Sequence, residues 1–251
     1  MNEKPVCLIT GAAGGIGAAL ARRLAAKGTA LVLSDRDGDR LAALEAELTA
    51  ERTDATDVLV RAVDVTVESE VAAVVDAAVG RWGHVDQVSL TAGVESPPGD
   101  LEAMSLADYE RVMAVNSTGA FLCLKAVLPL MKAAGRGAVV TAASIAGINA
   151  VPGQGAYAVS KHAVIGLTRA AAVEAGRYGV RVNAVLPGPI DTDMMTRIRR
   201  DSVSTPLGGG TLLGRMGTPD EAAAVIAFLL SDDASFVTNS YWTVDGGRLA
   251  V

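Results

Sequence analysis

Tyr157 and Lys161 stand four residues apart in the stretch GAYAVSKHAV, Gly155 to Val164. On a helix, positions four apart share a face, so the phenol and the ammonium would lie side by side one turn apart. A phenol alone has a pKa of about 10. A neighbouring ammonium favours the phenolate, so the spacing predicts a phenol tuned downward, fit to act as a general acid or base. Ser144 stands thirteen positions before Tyr157, at the end of an apolar run. Its hydroxyl could reach the same space. A serine donor and a tunable phenol can together handle the proton of an alcohol or a carbonyl. His162 sits beside the pair and reads as a bystander.

A second set of residues could hold an anion. The stretch TGAAGGIGAAL follows the first apolar run and carries Gly11, Gly14, Gly15 and Gly17. Residues without a Cβ let the chain turn tightly and let a phosphate approach the backbone. A helix opening near Gly15 would point unpaired N–H groups and a positive dipole end at a pyrophosphate. Asp35 closes the next apolar run, where a carboxylate can accept hydrogen bonds from adenosine ribose hydroxyls and repel a 2′-phosphate. That favours NAD over NADP. Arg36 argues the other way, and Asp35 also reads as a plain turn residue leading into RDGD. Asp64 ends a third run in the same fashion and could contact adenine.

These residues need elements to position them. Short apolar runs at 6–10, 30–35, 58–64, 85–90, 137–144, 180–187 and 241–247 read as strands. Helical patterns occupy 16–28, 39–50, 68–80, 105–134, 154–178 and 218–230. A looser stretch, 188–217, follows Pro187 and holds Pro189, Pro206 and the triplet Gly208 to Gly210. Strands that alternate with helices imply a parallel α/β sheet covered on both faces. Ligands bind such sheets beyond the carboxyl ends of the strands. Half of the 251 residues are apolar and 20% are charged, which suits a large core and excludes a disordered chain. No membrane span or signal peptide is read, so a soluble, cytoplasmic protein is expected. The net charge of −6 and the absence of a basic tract argue against nucleic acid as a partner. RIRR, at 197–200, reads as a solvated helix face. Cys7 and Cys123 lie in apolar runs and read as core, and His84 and His162 have no companion cysteines, so no metal is expected.

In this order and spacing the motifs resemble the short-chain dehydrogenase/reductase family in its shorter, single-domain form, across nearly the whole chain. TGAAGGIG matches the glycine turn, YAVSK the tyrosine–lysine signature, Ser144 in TAASIAG the serine, and Asn116 in VMAVNSTGAF the asparagine of a long helix. LPGPIDTDM and VDGG match later segments. The resemblance implies a Rossmann-like doubly wound parallel sheet of about seven strands, one domain over 1–251, and a mobile substrate loop near 188–217. It implies Tyr157 as proton donor or acceptor. Lys161 would lower the Tyr157 pKa and hold the nicotinamide ribose, Ser144 would polarise the substrate oxygen, and Asn116 would position a relay water. Gly11, Gly14, Gly15, Ile16, Gly17, Asp35, Arg36, Asp64, Val65, Thr91, Ala92 and Gly93 would line the cofactor with Pro187, Gly188, Ile190 and Thr192. Ile190 and Thr192 would hold the nicotinamide carboxamide. Ser144, Gln154, Tyr157 and Met194 would face substrate, although Met194 and Met195 read equally as helix core.

Two positions depart from the family pattern. Thr91 stands where asparagine is usual, which predicts a local change, and Asn239 stands where glycine is usual, which predicts a different backbone. The leading expectation is an NAD-dependent alcohol dehydrogenase or ketone reductase, with NADP as the alternative cofactor. A 3-oxoacyl-thioester or polyketide ketoreductase and a non-catalytic dinucleotide sensor or scaffold are the competing readings. The expected assembly is a homotetramer, with a dimer as the alternative.

Overall fold

A computed structural model describes residues 4–50, 58–201 and 210–250. Seven strands form one sheet: β1 (Val6–Thr10), β2 (Ala30–Asp35), β3 (Val58–Ala62), β4 (Gln87–Leu90), β5 (Gly137–Ala142), β6 (Val180–Pro187) and β7 (Tyr241–Val244). The order is β3-β2-β1-β4-β5-β6-β7, and every neighbouring pair is parallel. Parallel neighbours need crossovers, which the helices supply. These are α1 (Gly15–Ala25), α2 (Gly38–Ala50), α3 (Glu68–Trp82), α4 (Leu106–Met113), α5 (Gly119–Ala134), α6 (Gly155–Ala175), α7 (Asp193–Asp201) and α8 (Pro219–Leu230).

The central strand shows why its sequence is apolar without alternation. Val6 and Leu8 join a core with α3, α5 and α6, while Cys7 and Ile9 join a second core with α1, α2 and α8. A strand covered on both faces must be apolar at successive positions. The chain winds outward from β1 to β3, then returns to β4 on the other side of β1. At that switch point Thr10 lies opposite Leu90, so the segments after β1 and β4 emerge side by side.

The helical run Leu106–Ala134 is long and apolar enough to cross a membrane by length and composition. It connects β4 to β5, adjacent parallel strands of one sheet, so both of its ends belong to the same body. Between α4 and α5 it takes a wider π turn over Ala114–Thr118.

The structure departs from the sequence reading mainly at strand ends. β3, β5 and β7 stop at Ala62, Ala142 and Val244, short of the expected 64, 144 and 247. The chain leaves the ladder there because the next residues serve local structure: the Asp64 amide donates to the Glu70 carboxylate at 2.7 Å, and Ser144 caps a short 3₁₀ turn over Ile145–Gly147. α6 ends at Ala175 and a 3₁₀ turn completes the expected length. The stretch read as loose contains α7. Gly208 and Gly209 lie outside the described residues. Asn239 adopts φ +57°, in the left-handed region. Asparagine is one of the few residues that tolerate that region.

Candidate active site

The site is assembled from four segments that leave the carboxyl ends of the strands. The first is the turn after β1. Gly11 has φ +67°, and a Cβ there would lie 2.6 Å from the Ala92 backbone nitrogen. A Cβ on Gly17 would fall 2.2 Å from the Gly11 carbonyl oxygen. The glycines are thus demanded by the close packing of this turn on the start of α1 and on the segment after β4. Gly14 precedes α1 with no side-chain cap, and the first turn of α1 holds no acidic residue. Its N–H groups and positive dipole end suit an anion. Ile16 packs partly buried against the core beneath the turn.

Asp35 supports the same turn. One carboxylate oxygen accepts from the Ala13 N–H at 3.1 Å and the other from the Asp37 N–H at 3.1 Å. The carboxylate stays partly exposed beside the glycines. Arg36 is exposed, and its charge falls on Asp64. The Thr66 hydroxyl and amide donate to Asp64 at 2.7 and 2.9 Å and, with the Arg36 charge, hold its carboxyl below the usual range. Val65 is buried against Gly119, where a Cβ would meet its side chain at 2.7 Å.

The second segment follows β4. The Thr91 hydroxyl donates to the Thr10 carbonyl and so pins the end of β4 to β1. Gly93 faces the catalytic side, where a Cβ would lie 3.3 Å from Asn116 Oδ1 and 3.4 Å from Lys161 Nζ. Asn116, in the π turn, grips the next residue by both backbone groups. The Val94 N–H donates to its Oδ1 at 2.7 Å, and its Nδ2 donates to the Val94 carbonyl at 2.9 Å. Nδ2 also donates to Ser160 Oγ at 3.0 Å, and Ser160 Oγ donates to the Tyr157 carbonyl at 2.7 Å. Asn116 therefore ties the segment after β4 to the first turns of α6.

The third segment joins β5 to α6. Ser144 is buried, its Oγ accepts from the Ala146 N–H at 3.1 Å, and its hydroxyl acts on the Tyr157 phenol. Lys161 is only 4% exposed. Its Nζ donates to the Ala142 carbonyl at 2.8 Å and lies 5.5 Å from the centre of the Tyr157 ring. Burial lowers the Lys161 pKa to about 8. Burial raises that of Tyr157, the Ser144 hydrogen bond pulls it back in part, and the Glu95 charge raises it further. The spacing alone predicted a lowered phenol. The structure reverses the sign, because the desolvation of Tyr157 prevails and Lys161 directs its ammonium at a carbonyl and over the ring face. The His162 ring donates to the Ala158 carbonyl at 2.9 Å, a bond within the helix.

The fourth segment follows β6. Gly188 lies against Asp245, where a Cβ would meet Cα at 2.7 Å, and it donates to the Val244 carbonyl at 3.0 Å. Ile190 is buried and pairs with Gly217 in a short bridge. Thr192 sets its methyl against Gly15, which brings the end of the β6 segment to the glycine turn. Its hydroxyl accepts from the Met195 N–H at 3.3 Å and starts α7. Arg40 reaches Asp193 at 2.9 Å, and Arg197 makes two hydrogen bonds to Glu95, at 2.5 and 3.2 Å. These pairs hold α7 between α2 and the segment after β4. Met194 and Met195 are half-buried. Gln154, at the start of α6, is buried and accepts from the Ser96 hydroxyl at 3.4 Å. The sequence reading missed Glu95, a single glutamate in a loop with no motif around it.

Known proteins share this fold. A family model described as "Enoyl-(Acyl carrier protein) reductase" matches residues 11–248. Levodione reductase of Leifsonia aquatica is 40% identical over 98% of this chain and 94% of its own. Cis-4-hydroxycyclohexanecarboxylate dehydrogenase of Sinomonas cyclohexanicum is 40% identical over 98% of this chain and 97% of its own. The crystal structure of NAD+-bound xylitol dehydrogenase superposes with a TM-score of 0.92 at 34% identity, covering 98% of this chain and 100% of that one. Similarity of this extent, running through the sheet and both of its motif-bearing ends, places the chain in the short-chain dehydrogenase/reductase family of oxidoreductases.

Proposed function

We propose that this oxidoreductase interconverts a secondary alcohol and its ketone with NAD as cofactor, and that Ser144, Tyr157 and Lys161 carry the proton chemistry. The observation that carries the reading is the buried Lys161 with its ammonium 5.5 Å from the centre of the Tyr157 ring and Ser144 acting on the same phenol, together with a glycine turn whose Gly11 and Gly17 leave no room for a Cβ. The turn from Gly11 to Gly17 and the start of α1 would hold the pyrophosphate. Asp35 would take the adenosine ribose, Lys161 the nicotinamide ribose, and Ile190 with Thr192 the carboxamide. When bound, the nicotinamide exchanges a hydride with the substrate carbon.

The chain's own residues manage the oxygen. In oxidation, the substrate O–H bond breaks and its proton passes to the Tyr157 phenolate as the C=O bond forms. Ser144 holds that oxygen throughout, and ketone reduction runs the same steps in reverse. Asn116 serves by fixing Val94 against α6, and the resemblance adds a water on the path toward Lys161. Preference for NAD over NADP rests on Asp35, whose carboxylate would repel a 2′-phosphate, and on Arg36, whose charge is directed at Asp64. A 37%-identical relative named as a 3-oxoacyl-[acyl-carrier-protein] reductase keeps a 3-oxoacyl-thioester reductase as the second reading.

We also read residues 1–251 as one catalytic unit with 188–217 as its substrate-covering segment, assembled as a homotetramer. Two separate apolar faces support that assembly. One carries Leu106, Phe121 and Val159 on α4, α5 and α6, and the other carries Phe236, Tyr241 and Trp242 at the β7 edge. Two self-complementary faces build a tetramer, and one alone gives a dimer. The cytoplasm suits the two buried, unpaired cysteines. An NADH absorbance screen over alcohols, sugars, sterols and β-keto thioesters tests the reading, with Tyr157→Phe as the blank. The variant should lose turnover while binding NADH nearly as before. Undiminished turnover in Tyr157→Phe would refute the assignment.

A further inference from the structure

The stretch VDGG, at 244–247, closes the last strand, and the proton chemistry leaves it without a task. On one side it backs the turn after β6. The Gly188 N–H donates to the Val244 carbonyl at 3.0 Å, and a Cβ on Gly188 would meet Asp245 Cα at 2.7 Å. On its other side it receives the segment 210–217. Gly246 and Gly247 have φ +58° and +79°, which a side chain would strain. A Cβ on Gly247 would also press on the Leu212 side chain at 2.6 Å. The Leu213 N–H donates to the Gly246 carbonyl at 3.2 Å. Asp245 keeps this shape by accepting from the Gly247 and Leu249 N–H groups, each at 3.0 Å. Arg248 completes the clasp: its Nη1 donates to the Gly210 carbonyl at 3.0 Å, and a Cβ on Gly210 would run into that guanidinium.

The far end of the same segment bears on Ile190. The Gly217 N–H donates to the Pro189 carbonyl at 2.9 Å, and the Asp191 N–H donates to the Gly217 carbonyl at 2.9 Å. A Cβ on Gly217 would meet Ile190 Cδ1 at 2.7 Å. Between the two ends the buried Thr211 folds the segment on itself. Its hydroxyl donates to the Arg215 carbonyl at 2.9 Å and accepts from the Arg215 N–H at 3.2 Å. A segment closed in this way passes on to one end the place where it is held at the other. Resting on the assignment of Ile190 and Thr192 to the carboxamide, we propose that Arg248 is a positioning residue for the nicotinamide ring. It acts through 210–217, which seats Ile190, rather than on the cofactor itself. The adenosine and the pyrophosphate would rest on Asp35 and the glycine turn, which belong to other elements.

NADH and ADP-ribose separate the two halves, because ADP-ribose lacks only the nicotinamide ring. Calorimetry gives the affinity of each for the wild type, Arg248→Met and Gly217→Ala. Methionine keeps most of the arginine stem and loses the hydrogen bond, whereas alanine at 217 pushes on Ile190 directly. The wild type should bind NADH more tightly than ADP-ribose. Arg248→Met should weaken NADH about fivefold and leave ADP-ribose within about twofold. Gly217→Ala should show the same selective loss. Equal weakening of both ligands in Arg248→Met would mean a structural role alone, and unchanged NADH affinity would mean no role; either result overturns the proposal. So would a Gly217→Ala protein that keeps the wild-type preference for NADH, since the relay runs through that contact. A wild type that binds the two ligands equally would refute the carboxamide assignment itself, and the proposal with it. None of these measurements uses a substrate, so the alcohol screen succeeds or fails separately.

Discussion

Lys161→Met should make this protein more tolerant of neutral pH while destroying it as a catalyst. Lys161 is 4% exposed and has a pKa of about 8, against an ordinary 10.5. Below pH 8 both folded and unfolded chains carry the proton, and the folded chain bears the cost of a buried ammonium. Between 8 and 10.5 the unfolded chain still holds a proton that the folded chain has released, so this lysine adds stability as pH rises. Integrated from pH 7 to pH 10, that gain is about 2.5 kcal/mol. Methionine fills much the same volume and has nothing to titrate, so the variant lacks the gain. It also loses the 2.8 Å hydrogen bond to the Ala142 carbonyl, about 1 kcal/mol at any pH. The variant should therefore exceed the wild type in stability at pH 7 and lose that advantage by about pH 10. Urea unfolding of both proteins, at one protein concentration and at each pH unit from 7 to 10, gives the difference directly and cancels all other titrating groups. A difference that stays flat over that range would refute the reasoning, since it would mean that Lys161 titrates alike in both states.

Three further outcomes follow from the site. Asp35→Ala should narrow the ratio of kcat/KM for NAD over NADP and loosen the glycine turn, since Ala13 and Asp37 lose their acceptor; a wild type that already prefers NADP would contradict the role given to Asp35. Ser144→Ala removes the hydroxyl that pulls the Tyr157 pKa down, so under the proposed mechanism the phenolate forms at higher pH, and the rising limb of the pH–rate profile should move up rather than down. Asn239→Ala places a less tolerant residue at φ +57° and should cost about 1 kcal/mol, whereas Asn239→Gly should melt within a degree or two of the wild type, as differential scanning calorimetry would show.

Much of the fold could be read in advance because β1 to β7 and their crossovers are written in apolar periodicity. The runs overshot at the carboxyl ends, at 64, 144 and 247, where residues that still look strand-like peel away to build the site. α7 was legible only in part, as a solvated helix face at RIRR, for another reason. Its sequence, DMMTRIRRD, is strongly polar, and two of its fastenings are the ion pairs to Arg40 and Glu95, at separations of 153 and 102 residues. No local pattern encodes such partners, and Glu95 escaped notice for the same reason. Ser144, Tyr157 and Lys161 were legible as a set, because their spacing needs only one strand end and one helix turn. The direction of the Tyr157 shift was not, since spacing reports neighbours whereas desolvation depends on everything packed around them.

The π turn at Ala114–Thr118 has a consequence for how this region can vary. A π turn carries one residue beyond the α-helical count, and one residue is about 100° of rotation. The helices on either side are thus held out of phase by that amount. Val112 is buried before the offset, Leu122 and Cys123 are buried after it, and Asn116 points inward from within it. Deleting a single residue here would bring the two helices back into phase and turn either α4 or Asn116 away from its partners. The segment is therefore locked in length more firmly than in composition. Substitutions along the exposed side of α4 can accumulate, while a one-residue insertion or deletion would unfasten Val94 and, through it, the segment that carries Glu95.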